Sequence, residues 1–330
     1  MLNKYLLSDP VPWLTDGDNP AVTYLVKDEI LMEPDKEKIY NELINSPLTD
    51  YFKKNSSKGI LGDIKHPDVY YRGTVWFFLL AVESGYKYST DFISATADYL
   101  CGTTQNEDGG FMYGSNPSSS VGCRSGNMIW SLLKCGISDS RTGSGIKWIE
   151  KNQRKDGGWL HCPVAGFCDV MKLVFLKKIG TGLKYESDEN VPSCPVASYS
   201  CLKALLESSS LQYNDMILRG IDFLIKNRFF INLKNKLLCG NALNPHKTGY
   251  PVMSQYDFLS GLVTASKTEK WNDPVTGELF NSIIKKQNPD GSWNYENILP
   301  GMIKGEKDRS RWITLNALRL ISEVIKKENQ

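Results

Sequence analysis

The sequence predicts an all-α fold, an α/α toroid of five to six helix pairs whose inner helices line a central cavity. Three observations carry that expectation. A Gln-x-x-Asp-Gly-Gly/Ser-aromatic pattern occurs as QNEDGGF from Gln105, QRKDGGW from Gln153 and QNPDGSW from Gln287. Degenerate copies are NSSKGIL from Asn55 and the helix end FLIKNRFF, where Arg228 takes the Gln slot. The copies recur at a period of about 50 residues, which marks a repeat architecture. The segment before each turn is amphipathic, the segment after it is apolar almost all round, and a helix without a polar face is buried on all sides. Period-2 alternation, the mark of a half-buried strand, is almost missing.

Taken along the chain, DNPAVTYLVKDEIL supplies an opening outer helix, with Asn19 as N-cap and Pro20 at the first helical position. The inner helices read as YYRGTVWFFLLAVESG, CRSGNMIWSLLKCG, MSQYDFLSGLVTAS and RWITLNALRLISEVIKK, with glycine stops at Gly85 and Gly136. MILRGIDFLIKN is an outer helix, with Ile217, Ile221 and Leu224 on one face. Within each turn, Asp supplies side-chain capping and Gly a permissive backbone. The interval from Gln153 to Arg228 exceeds the period by about 25 residues, and the surplus falls between Trp159 and Ser193. We therefore expect one domain, 1–330, interrupted by an insertion, 160–193, that carries an extra helix in FCDVMKLVFLKKIG. Insertions in repeat folds map to one face, often the binding face.

The bulk properties narrow the function classes. The chain has 330 residues, 41% hydrophobic and 23% charged, with a formal net charge of +2. Its lysines are scattered and no nucleic-acid fingerprint is present, so no nucleic-acid partner is expected. The longest apolar run, TVWFFLLAV, is far shorter than the roughly 20 residues a membrane span needs. MLNKYLLSDPVPWL lacks the apolar core and cleavage site of a signal peptide, so the expected location is cytoplasmic. In that setting the eight cysteines are not expected to pair as disulfides. Cys101, Cys135 and Cys201 lie in apolar helical stretches and read as small buried hydrophobes.

The repeats at Gln105, Gln153 and Gln287 resemble the QW motifs of the terpenoid-cyclase and protein-prenyltransferase toroid superfamily, over about residues 50–326. VPWLTDGDNPAVTYLVKDEIL and SRWITLNALRLI are also similar to stand-alone bacterial prenyltransferase and squalene-oxidase repeat proteins. The resemblance implies that the motif is scaffold: the Gln side chain bonds a neighbouring helix terminus and the Trp packs behind the turn. Gln153, Asp156 and Trp159 are then structural. It also implies an enzyme acting on a hydrophobic, isoprenoid-like substrate in a central cavity. The chain departs from the family's catalytic patterns, however. No D-x-D-D string is present, the nearest being TDGDNP, where capping is the simpler role, and no Asp-rich diphosphate motif occurs. Of the prenyltransferase zinc ligands Cys123 is kept, but Val121 and Ala197 stand in the Asp and His positions. Protein prenylation is therefore not expected, nor is a prenyltransferase α-subunit as partner.

The chain's own candidates fall into three sets. Asp257, in the first turns of an apolar helix, is either an N-terminal cap or a desolvated acid with a raised pKa, and Tyr256 beside it is a donor. Cys123 is a candidate nucleophile at the start of an inner helix. Arg72, Arg124 and Arg311, with Tyr71 and Trp312, fall near the starts of inner helices and form a candidate substrate-binding rim over the cavity. His161, Cys162, Cys168 and Cys194, in or beside the insertion, and His246 are candidate ligands for zinc or iron. The C-x5-C spacing is not a zinc-ribbon signature, and reduced, partly buried thiols are the alternative. Two further functions thus stand beside the cyclase-like one: a metal-thiolate enzyme on a small polar substrate, and a non-catalytic protein binding a hydrophobic ligand. The metal-thiolate function requires about one equivalent of zinc or iron per chain by elemental analysis after chelator-free purification, with thiols protected until the metal is removed. Freely titrating thiols without metal would end it.

Overall fold

The computed structural model describes residues 4–65, 72–112, 120–160, 193–231, 244–251, 256–296 and 309–329. These residues are helical almost throughout. In chain order the helices are α1 (Val11–Leu14), α2 (Pro20–Leu25), α3 (Lys36–Ile44), α4 (Pro47–Lys54), α5 (Thr74–Glu83), α6 (Asp91–Thr104) and α7 (Gly122–Lys134). They continue with α8 (Ser140–Lys151), α9 (Pro195–Glu207), α10 (Asn214–Lys226), α11 (Phe258–Ala265), α12 (Pro274–Ile284) and α13 (Ser310–Glu328). A π-helical turn, Val26–Ile30, extends α2. Two short strands, β1 (Ser56–Ser57) and β2 (Ile60–Leu61), pair antiparallel with Ser56 opposite Leu61. This small hairpin is the degenerate repeat turn after Asn55.

The contacts divide the chain into two compact units. One comprises Met1–Asn55, Glu83–Tyr86 and Arg228–Gln330, the other Ser56–Val82 and Lys87–Asn227. In both, helices that precede a turn are buried on one side and helices that follow it are buried nearly all round. Before the turns, α10 buries Ile217, Ile221 and Leu224, and α12 buries Leu279, Phe280 and Ile283. After them, every residue of α5 from Thr74 to Val82 is buried, as are most of α9 and the stretch Arg311–Leu318 of α13. Asn19 caps α2 by accepting from Val22 N at 3.2 Å, and Pro20 follows it. Gly85 and Gly136 have positive φ just beyond α5 and α7.

The Asp-Gly turns do the same work in each copy. Asp108, Asp156 and Asp290 accept the backbone N–H two residues on, at 2.9, 3.1 and 3.0 Å. The next residue is a glycine at positive φ, 90° at Gly109, 88° at Gly157 and 85° at Gly291. A Cβ there would lie 2.2 Å from Ser144 O, 2.3 Å from Arg219 O and 2.1 Å from Ser8 O. Both the backbone conformation and the space therefore demand glycine. Gln105 and Gln153 donate from Nε2 to Arg141 O and Met216 O, each 2.8 Å away in the next helix, α8 and α10. Gln287 instead accepts from Leu7 N at 2.8 Å, so the last turn meets the N-terminal segment.

The aromatic residue closes each turn. Trp159 and Trp293 are fully buried and donate from Nε1 to Ile149 O and Ile283 O, both at 2.8 Å. The backbone N–H groups of Phe111, Trp159 and Trp293 each donate to a hydroxyl on the following helix: Ser125 at 2.7 Å, Ser198 at 2.9 Å and Thr314 at 2.9 Å.

The start of α7 differs from the apolar helix expected, because Arg124, Ser125 and Asn127 are buried there. The cause is close packing on α9. A Cβ on Gly126 would sit 2.4 Å from Ser200 C, so the backbones nearly touch and only small or hydrogen-bonding groups fit. Asn127 Nδ2 donates to Ser200 Oγ at 3.2 Å, and Lys203 Nζ stands 3.3 Å from the Trp130 ring centroid. The extra helix expected in FCDVMKLVFLKKIG lies outside the described residues. Where the chain is described again, Ser193 and Cys194 return to the same turn, donating to Asp156 and Trp159 O.

Three substitutions test this account. Gly157→Ala should destabilise, whereas Gly143→Ala, at an exposed site in α8 with open space, should stabilise by about 0.5–1 kcal/mol. Trp159→Ala should remove about 3–5 kcal/mol. Urea unfolding of the three variants decides the signs.

Candidate functional site

The unit that holds residues 228–330 contains Asp257, the N-cap residue of α11. Its Oδ1 accepts from Ser260 N at 2.8 Å, while Ser260 Oγ accepts from Asp257 N at 3.2 Å, a reciprocal capping box. Its Oδ2 accepts from Gly249 N at 2.8 Å. The side chain is therefore a cap, and it is also a desolvated acid, at 3% exposure. Burial pushes its pKa up to about 6, against the Ser260 and Gly249 hydrogen bonds and the charge of Lys286, which pull it down. Desolvation wins because the apolar α11 offers no solvent to the carboxylate. Tyr256, also buried, packs its ring 5.8 Å from Phe230. Lys286 bonds Glu296 at 2.6 Å and the His246 carbonyl. Burial raises Glu296, yet Lys286 and Thr248 outweigh it and hold this carboxyl below its usual range. His246 is exposed, with its ring edge-on to Phe258 at 4.7 Å.

The first turn of α13 carries Arg311 and Trp312. Arg311 is 4% exposed and engages the carboxylates of TDGDNP: Nη1 and Nη2 reach Asp16 at 2.8 Å each, and Nη2 reaches Asp18 at 3.3 Å. It also donates to Trp13 O and lies over the Trp13 ring. This is bidentate carboxylate recognition within the chain, and Arg311 holds Asp16 below the usual carboxylate range. Trp312 is 2% exposed and stacks on Tyr250, with centroids 4.2 Å apart and planes 8° from parallel. Two turns further along α13, Arg319 Nε reaches Glu29 of the π-helical turn at 2.6 Å and Nη1 reaches Asn316 Oδ1 at 2.8 Å. These last residues were not singled out from the sequence. Their signal was there, since Asn316 and Arg319 are polar positions in a helix otherwise read as apolar.

The other unit holds the remaining described candidates. Cys123 is half-buried in the first turn of α7, next to the buried Arg124. Cys194, buried, is the N-cap residue of α9, and Cys201 donates to Gly122 O at 3.7 Å. Burial pushes the Cys201 thiol well up, Cys101 to about 11 and Cys135 to about 12, so these three stay protonated at neutral pH. Arg72 is exposed and pairs with Asp63 at 2.9 Å. Tyr71, His161, Cys162 and Cys168 lie outside the described residues. Among the described residues, no group of three or more His, Cys, Asp or Glu is placed to hold a metal ion. No helix among them is long and apolar enough to cross a membrane.

No family model matches the chain, and no curated protein matches it. Among solved structures, it is similar to a variant of the type II terpene cyclase MstE from Scytonema bound to merosterolic acid A. That pair is 11% identical, covers 86% of this chain and 96% of the other, and has a TM-score of 0.35. Apo MstE gives 11% identity, 87% and 97% coverage and a TM-score of 0.30. A protein from Actinoplanes gives 12%, 84% and 97%, with a TM-score of 0.34. At these identities and scores, neither the helical architecture nor the function rests on the likeness.

The raised pKa of Asp257 has a measurable sign. Its contribution to stability is fully present below the unfolded value near 4 and is lost as pH rises through about 6. The depressed carboxyls Asp16, Asp139 and Glu296 act oppositely, losing stability as pH falls through their folded values. Asp257→Asn should therefore remove a stabilisation of up to about 3 kcal/mol gained between pH 7 and pH 4. Denaturation midpoints across that range check it, and an unchanged pH profile in the variant would refute the assignment.

Proposed function

We propose that the chain is a terpenoid-cyclase-like enzyme that takes a hydrophobic, isoprenoid-like substrate among its buried helices, with Asp257 as the proton donor. The observation that carries this is a carboxyl at 3% exposure, raised to about 6, at the head of an apolar helix. Such a group is protonated in about a tenth of molecules at pH 7, far more than an ordinary carboxyl, and can act as a general acid. Transfer of its proton to one alkene carbon would leave the carboxylate and a carbocation. Attack of a neighbouring double bond would close a ring, and loss of a proton from the final cation would give a neutral isomer of the substrate. The Ser260 and Gly249 N–H groups are aimed at the carboxylate oxygens and would stabilise the anion left behind. The helix pairs, the repeated turns and the family resemblance of the sequence support this function.

The test is turnover in deuterated water with geranylgeraniol and squalene, read by gas chromatography and mass spectrometry. The expected product is a cyclic isomer heavier by one deuterium, lost in Asp257→Asn. Binding without turnover would instead make this a carrier of hydrophobic ligands. A cyclic product without deuterium would remove Asp257 as the acid.

A further inference from the structure

Helix α13 presents a row of hydrogen-bonding side chains that includes one buried donor with no acceptor among the described residues. Trp312, Asn316 and Arg319 are spaced i, i+4 and i+7 on it, which puts them on one face. Trp312 Nε1 is fully buried and has no partner among the described residues. Stacking on Tyr250 fixes the indole, and with it the direction of that N–H. Asn316, at 7% exposure, spends its Oδ1 on Arg319 Nη1, leaving its Nδ2 donor unused. Arg319 spends Nε on Glu29 and Nη1 on Asn316, which leaves Nη2, on a side chain that is still 21% exposed. Buried donors are as a rule satisfied, so the orphaned indole N–H, with an amide and a guanidinium on the same stripe, defines a place for an oxygen acceptor.

Charge selects the kind of acceptor. Glu29 pairs directly with Arg319, and Glu83 adds a second negative charge to the field at the guanidinium. The positive charge is thus already compensated, and an anionic head group would meet two carboxylates. We propose that Trp312, Asn316 and Arg319 bind a neutral oxygen, an alcohol or carbonyl, carried by a hydrophobic ligand. This rests on the hydrophobic-substrate function above and adds to it the polar end of the ligand.

The test uses the full chain and three probes of one skeleton: farnesol, the hydrocarbon farnesene and farnesyl diphosphate. Farnesol should bind about tenfold more tightly than farnesene, the scale of one to two net hydrogen bonds. Trp312→Phe, which keeps the stack, and Asn316→Leu should each cut that preference to about threefold or less while leaving farnesene affinity unchanged. Arg319→Met is paired with Glu29→Gln so that Glu29 is not left unpaired, and should act in the same direction. In 15N-labelled protein, the indole cross-peak lost in Trp312→Phe should move on adding farnesol and stay in place with farnesene. Equal affinity for alcohol and hydrocarbon, or a preference kept in the variants, overturns the proposal while the hydrophobic-substrate function stands. Tightest binding of the diphosphate overturns it through the charge argument. No binding of any probe overturns both.

Discussion

The repeated turns depend on a close approach between a glycine and a backbone carbonyl. At Gly109 and Gly157 the turn is pressed so near the next helix, and at Gly291 so near Ser8, that a single methyl group would overlap a carbonyl oxygen. Gly59 in the degenerate copy repeats the approach, against Tyr99 and Ala95 of α6. This proximity lets Gln105 and Gln153 reach the next helix and Gln287 reach Leu7, and it seats the aromatic residue behind the turn. After Gly291 it fixes where the following helix begins, and so where Arg311 and Trp312 stand. The scaffold is thus carried by backbone approach, with side chains filling in around it.

Against that rigid scaffold, the buried polar groups stand out energetically. Most are satisfied: Ser125, Ser198 and Thr314 accept from the aromatic turn residues, and Arg311 is surrounded by two carboxylates, a carbonyl and a ring. Asp257 differs, because both its oxygens are hydrogen-bonded and desolvation still dominates. A fold would keep such an unfavourable charge only where the neutral acid is useful or the cap is worth more than the penalty. Capping and acidity are compatible here, since each carboxyl oxygen has a second lone pair away from the N–H it accepts.

Much of the scaffold was legible in the sequence, for a physical reason. The turn requires Asp for its side-chain acceptor and Gly for its φ and its contact, so the constraint falls on residue identity and repeats visibly. The alternation of one-sided and fully buried helices likewise shows in hydrophobic periodicity, as Ile217, Ile221 and Leu224 do. The hydroxyl on each following helix was invisible, because Ser125, Ser198 and Thr314 do not share one residue type and occur among other serines and threonines. The dual nature of Asp257 was visible only as two alternatives, since cap and acid need the same residue at the same position. Asn316 and Arg319 were missed because they make sense only once Glu29, nearly three hundred residues away in the chain, is placed beside them. The polar start of α7 was missed because Gly126 reveals its purpose only when the α9 backbone is against it.

The segment from Lys4 to Asp18 is held by residues far along the chain: Lys4 and Tyr5 by Glu328, Leu7 by Gln287, and Asp16 by Arg311. On a ribosome this segment emerges well before the partners that hold it. The stretch 87–227 can collapse on itself during synthesis, whereas the unit that joins residues 1–55 to residues 228–330 must wait until the second of these is made. Until then the early segment lacks the partners at Gln287, Arg311 and Glu328 that hold it.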